Sequence, residues 1–208
     1  MKKTLIITLC LTSLYCLAQD TKTEFDGKNW KAPYQLSIPT GWDIERFLIP
    51  IEFAPQIQYK GVEDIRFTSG WANVKSNEYW TYAFLWYLDG TYKINKNILE
   101  NNLRAYYSGL VGRNIEPRKI PASKVIPVKT FVKQVTTSES DLKTFNETIE
   151  MLDYMEQRPI TLNCIVHVRP YKEKGKTFIF YELSPKPFPD SIWLKLNELW
   201  TDFDYKKP

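Results

Sequence analysis

Two hydrophobic periods alternate along this chain, and each marks a different kind of element. The clearest is a period of two over residues 79–89, where Trp80, Tyr82, Phe84, Trp86 and Leu88 share one face and Tyr79, Thr81, Ala83, Leu85 and Tyr87 the other. Apolar residues on both faces predict a central strand, closed by the turn Asp89-Gly90. Weaker alternation predicts short strands over 34–38 and 42–47, joined by Pro39-Thr40-Gly41, and another over 62–68. In the last of these Glu63 falls with Ile65 and Phe67, so a carboxylate points with the apolar set, while Asp64 and Arg66 take the opposite face. Pro50 and Pro55 make residues 49–60 irregular.

After Asn95 the spacing changes to three and four. Ile98, Leu99, Leu103, Tyr106, Tyr107 and Leu110 then line one stripe of a helix over 95–112, capped by Asn95 and ended by Gly112 and Pro117. A basic, Pro-containing linker over 117–124 follows. Strands over 125–136 and 142–155 pair across 137–141, and a hairpin over 160–169 and 176–183 turns around Tyr171 to Gly175. A closing helix over 190–203, started by Asp190 or Ser191, carries Ile192, Trp193, Leu196, Leu199, Trp200 and Phe203 on one stripe. Short connections favour antiparallel neighbours. The order therefore predicts an α+β single domain over 34–208, an antiparallel sheet covered by two helices, about 95–112 and 190–203, preceded by a polar N-terminal arm over 19–33.

The start of the chain reads as an address. Lys2 and Lys3, an apolar run over 5–17 and the small residues of Cys16-Leu17-Ala18 predict a signal peptide over 1–18, cleaved after Ala18, and hence export to the periplasm or outside the cell. Bulky Leu9 and Tyr15 precede Cys10 and Cys16 and argue against lipid attachment. The 208 residues carry 28 Lys+Arg against 24 Asp+Glu, so neither disorder nor a nucleic-acid partner is expected. No second apolar stretch of about twenty residues follows, so no transmembrane segment is expected in the mature chain. Beyond residue 18 one cysteine remains, Cys164, which excludes an internal disulfide and leaves stability to a packed core.

The segment PTGWDIERFLIPIEFAPQIQYKGVEDIRFTSGW, followed by EYWTYAFLWYLDG, resembles a family of small secreted bacterial proteins, of a kind common in Bacteroidetes, with no assigned activity. The resemblance spans roughly residues 34–90 and implies export and a single domain. The opening strand into Pro39-Thr40-Gly41-Trp42 and the closing amphipathic helix are similar to the sandwich of the Mog1/PsbP-like group.

Candidate chemistry is sparse. Cys164 and the lone histidine, His167, are the one nucleophile–base pair available, but period two puts Cys164 with Leu162, Val166 and Val168, and His167 with Asn163 and Arg169 on the other face. No nucleophile elbow, Walker loop, Rossmann fingerprint or EF-hand occurs, so no catalytic residue, cofactor or metal site is assigned. Glu63, Glu78, Asp89, Glu150, Asp153 and Glu182 are the carboxylates from which a glycosidase pair would have to be drawn. Glu63 stands out, because an inward carboxylate must be protonated or paired, and Arg46 and Arg104 are the expected structural partners. Arg66 shares its strand. Trp71, Tyr79 and Tyr87 read first as structural rings, with a place at an interface as the alternative, and Glu63, Arg66, Trp71, Tyr79 and Tyr87 form the candidate binding set. Arg113, Arg118, Lys119 and Lys124 read as a solvated basic loop, with contact to a polyanion as the alternative. The expectation is a non-catalytic envelope or secreted binding module with an unidentified ligand or protein partner; the alternative is a carboxylate-dependent hydrolase acting on envelope glycans.

Overall fold

The computed structural model describes residues 25–137 and 141–206, so the expected cleavage after Ala18 and the first part of the arm lie outside the described residues. Seven strands form one antiparallel sheet in the order β1-β2-β3-β7-β6-β5-β4. Strands β1 (Asp43–Ile49), β2 (Gly61–Phe67) and β3 (Tyr82–Asp89) step inward from one edge. Helix α1 (Lys96–Ile115) then carries the chain to the far edge. From there β4 (Lys129–Val135), β5 (Lys143–Asp153), β6 (Arg158–Tyr171) and β7 (Lys176–Ser184) step back until β7 pairs with β3. Helix α2 (Ile192–Thr201) closes the chain.

The helices take opposite faces. α1 packs on β4 and β5, and α2 on β7. Each face has its own core: Trp80, Tyr82, Phe84, Trp86 and Leu88 lie on the α1 side, and Ala83, Leu85, Phe178, Phe180 and Trp200 on the α2 side. A sheet buried twice explains why β3 is apolar at nearly every position.

Local signals account for the helix ends. Asn95 accepts the Ile98 amide in its side chain (3.0 Å) and caps α1 as expected. Gly112 does not stop the helix, which runs on to Ile115. An exposed helical glycine costs only about 1 kcal/mol, and Val111 and Ile115 on either side of it both pack onto the α1-side core. At α2 it is Asp190, through Oδ1, that accepts the Ile192 amide (2.9 Å).

Two expected strand segments come out differently. Residues 34–38 form no strand, only a single bridge between Gln35 and Asp204. The alternation over 79–89 holds from Tyr82 onward but not before it, because Trp80 takes a left-handed backbone (φ 55°). That conformation is strained for a bulky residue, and it turns Tyr79 and Trp80 onto the same side of the sheet.

Candidate functional site

On the α1 side the helix backbone lies along β4 and β5 and leaves the β1–β2–β3 half of the sheet uncovered except by side chains such as Tyr106, which stacks on Phe84 (5.4 Å). A cleft with about 200 Å³ of free space opens there, between the C-terminal half of α1 and that uncovered half. Its apolar walls come from every level of the chain: Phe47 on β1, Phe67 on β2, Tyr106 on α1, Phe53 from the β1–β2 connection and Trp71 from the β2–β3 connection. Gly109 sets the approach of that β1–β2 connection, since a Cβ there would sit 1.7 Å from the Phe53 carbonyl oxygen.

The polar groups at the cleft are mostly donors. Arg113 lies over the Phe53 ring (5.2 Å) and Arg118 over the Tyr154 ring (5.1 Å). Arg118 donates through Nε to Asn114 Oδ1 (3.1 Å). Neither guanidinium meets a carboxylate within salt-bridge distance among the described residues. The Trp71 indole Nε1 is buried with no hydrogen-bond partner among the described residues. Glu45, at the edge on β1, is the one carboxylate in the lining.

Glu63 lies behind this cleft rather than in its wall. It is fully buried; Tyr106 Oη donates to its Oε1 (2.6 Å) and Trp86 Nε1 to its Oε2 (2.8 Å). Burial pushes its carboxyl up to about 8, against the pull of those two bonds. It is therefore a neutral acid at pH 7, and neither Arg46 nor Arg104 is its partner.

Arg46 instead pairs with Asp64, on the α2 side. Asp64 is fully buried and accepts from Arg46 Nε (2.8 Å), from Arg66, and from Tyr34 Oη (3.1 Å). Arg66 also donates to the Leu36 and Ser37 carbonyls (3.1 and 2.9 Å), which ties the segment before β1 onto the sheet. Arg66, 1% exposed, is thus a structural clamp and not a ligand contact.

The remaining candidates separate. Tyr79, a binding candidate with a structural role as its first reading, is buried on the α1 side with its hydroxyl donating to Asp153 Oδ2 (2.8 Å). Tyr87 is half-buried on the opposite side, stacked on Phe178. Trp71 alone of the three rings reaches the cleft. Five residues chosen from the sequence thus fall on two faces, and the two arginines read as a solvated loop are the ones at the cleft.

Cys164 and His167 face opposite sides, as alternation predicts. The Cys164 thiol is buried among α1-side apolar residues, and burial pushes it well above its usual range. His167 sits between Asp141 (Nδ1, 2.7 Å) and Glu182 (Nε2, 3.2 Å). Burial pulls its pKa down, but the two carboxylates outweigh that and hold it above the usual histidine value. Asp141 also accepts from Trp200 Nε1 (3.0 Å), so this network fastens α2. Among the described residues no group of three or more His, Cys, Asp or Glu could hold a metal ion, and no helix is long and apolar enough to cross a membrane.

No protein-family model matches the chain, and neither does any curated protein or solved structure. The site must be judged on its own chemistry.

Proposed function

We propose that this is an exported, non-catalytic binding protein whose α1-side cleft takes a small ligand with a flat apolar body and one anionic group. The observation that carries this reading is an aromatic cleft lined by two arginines, Arg113 and Arg118, that form no salt bridge among the described residues, against a single carboxylate at the edge, Glu45. Aromatic walls favour a planar apolar body, and convergent donors with a guanidinium fork favour a carboxylate. The free space is of the order that holds a single aromatic ring.

Binding is favoured over hydrolysis because Glu63, the one strongly raised carboxyl near the cleft, has both oxygens occupied and does not line it. A general acid must reach the proton it transfers. The export reading rests on the signal peptide pattern over 1–18, and mass spectrometry of the envelope-recovered protein tests it: the expected N-terminus is Gln19, and an intact Met1 would contradict it.

The cleft is tested by calorimetric titration with 3-phenylpropionate and its neutral amide. An eleven-heavy-atom fragment is expected to bind with Kd on the order of 0.1–1 mM. The amide should bind at least about tenfold more weakly, and the Arg113→Ala/Arg118→Ala double variant should lose the difference. Equal binding of acid and amide would overturn the anionic part of the reading. Turnover of a chromogenic glycoside that Glu63→Gln abolishes would favour the hydrolase.

A further inference from the structure

A second concave surface lies on the other side of the sheet, where β3 ends and β6 turns into β7. It offers about 370 Å³ of free space and is lined by Tyr87, Tyr171 and Tyr205 with Lys174, Lys176 and Lys206 around them, over a floor formed by Phe178. Tyr82, at the cleft end of β3, and Tyr87 are five residues apart, about 17 Å along a strand, and point to opposite faces. The two sites therefore share no wall. We propose that this groove is a binding site for an acidic pyranoside, a sugar ring carrying a carboxylate.

Its geometry differs from that of the cleft. The Tyr171 and Tyr205 rings meet edge to face (4.6 Å, 62°), which makes a corner, and Tyr87 stacks on Phe178 (5.5 Å, 24°) beside it. All three tyrosines are half-buried and pack on Phe178 beneath them. A pyranose suits such a corner. One face of the ring is a sheet of C–H bonds that lies on an aromatic face, and its hydroxyls need hydrogen-bonding neighbours, which phenols supply. Tyrosine corners recur at polar recognition surfaces because they give large area at low entropic cost.

The charges select among sugars. Lys176 is committed: it pairs with Asp89 and lies over the Tyr87 ring (5.0 Å), so it fixes that ring in place. Lys174, in the β6–β7 turn, and Lys206, whose ammonium lies over the Tyr205 ring (5.9 Å), make no ion pair among the described residues, and no acid lines the groove. Two ammonium groups without a carboxylate partner among the described residues, Lys174 and Lys206, beside a stacking corner place a negative group at the rim of the stacked ring. A neutral sugar would leave them unused, and a bare polyanion would leave the tyrosines unused.

Calorimetric titration of the protein with trigalacturonate, maltotriose and polyphosphate separates these cases, with Lys174→Ala/Lys206→Ala and Tyr171→Leu/Tyr205→Leu as variants. Leucine keeps the apolar contact with Phe178 and removes the stacking face, and thermal melting checks that each variant folds. Trigalacturonate should bind, maltotriose at least about tenfold more weakly, and each double variant should lose about tenfold or more for trigalacturonate. Arg113→Ala/Arg118→Ala should leave that affinity unchanged, since the cleft is a separate site. Equal binding of maltotriose would overturn the acidic requirement. Polyphosphate binding as tightly, with no loss in the leucine variant, would reduce the groove to a basic patch and overturn the proposal. Absence of trigalacturonate binding at millimolar concentration would do the same.

Discussion

The two faces of the sheet treat polar residues in opposite ways. On the α2 side every buried carboxylate meets a cation: Asp64 has Arg46 and Arg66, Asp141 has His167 and Arg169, and Glu182 has His167. On the α1 side the buried acids meet none among the described residues. Glu63 has only Trp86 and Tyr106, and Glu147, 1% exposed, has no hydrogen-bond partner for either oxygen among the described residues. Cations on the α2 side are consumed in fastening the segment before β1, and α2, onto the sheet. Cations on the α1 side, Arg113 and Arg118, stand at a cleft where they form no salt bridge among the described residues, with Glu45 at its edge the one carboxylate in the lining. Where a charge has already been paired, it explains the fold; where it has not, it is available to a ligand.

Substitution of one arginine from each face gives the largest contrast. Arg66→Ala strands the Asp64 carboxylate in the core with only part of its compensation and should cost about 3–5 kcal/mol, enough to lower the melting temperature sharply or prevent folding. Arg113→Ala, on an exposed side chain with no ion pair, should change stability by no more than about 0.5 kcal/mol. If the two melt alike, the faces do not differ as described.

The buried acids sharpen the contrast through pH. With Glu63 raised to about 8 in the folded chain, the native state holds a proton that the unfolded chain has released above about 4.5. Stability from this group is therefore complete below pH 4.5 and lost as pH rises toward 8, by a few kcal/mol in all at about 1.4 kcal/mol per unit. Glu63→Gln mimics the protonated acid and should flatten that slope, leaving the variant more stable than the parent at pH 8. Urea unfolding at pH 5, 6.5 and 8 measures it, and parallel slopes would contradict a neutral Glu63.

Glu147 gives a smaller effect of unusual sign. Burial pushes its carboxyl well above the usual range, with the Glu100 charge adding to the shift. Glu147→Leu removes a desolvated group without a partner and should stabilise the protein by about 1–3 kcal/mol at pH 8. The corresponding change on the α2 side, Asp64→Leu, should destabilise it, because two arginines would then be left without their carboxylate. Smallest of all, Cys164, beside Glu147 in the register, should react with a thiol reagent only as fast as the protein unfolds.

The fold was legible in the chain wherever a local signal decided it. Period two placed β3, the β6–β7 hairpin and the opposite orientations of Cys164 and His167, and Asn95 placed the start of α1. The misplacements have physical causes. Trp80 breaks the alternation with a backbone turn that no residue type announces, so Tyr79 and Tyr87 were expected on one face and lie on two. Glu63 and Asp64 were separated into an inner and an outer face, but in a sheet covered on both sides neither face is outer. Period two cannot tell which of two buried acids will find the arginine. The cleft was beyond local reading altogether, since Phe47, Phe53, Trp71, Tyr106 and Arg113 come together only through the antiparallel register and the crossover of α1. Of its residues, only Trp71 was among those singled out as binding candidates.

The seven tryptophans report on both faces at once: Trp71, Trp80 and Trp86 lie on the α1 side, and Trp30, Trp42, Trp193 and Trp200 on the α2 side. Their indole N–H signals in a ¹H–¹⁵N spectrum, followed during titration with 3-phenylpropionate, test the ligand cleft directly. The Trp71 signal should move farthest, saturably, with smaller shifts at Trp80 and none at the four α2-side indoles, and the shifts should vanish in Arg113→Ala/Arg118→Ala. An unmoved Trp71, or a response centred on Trp193 and Trp200, would contradict it.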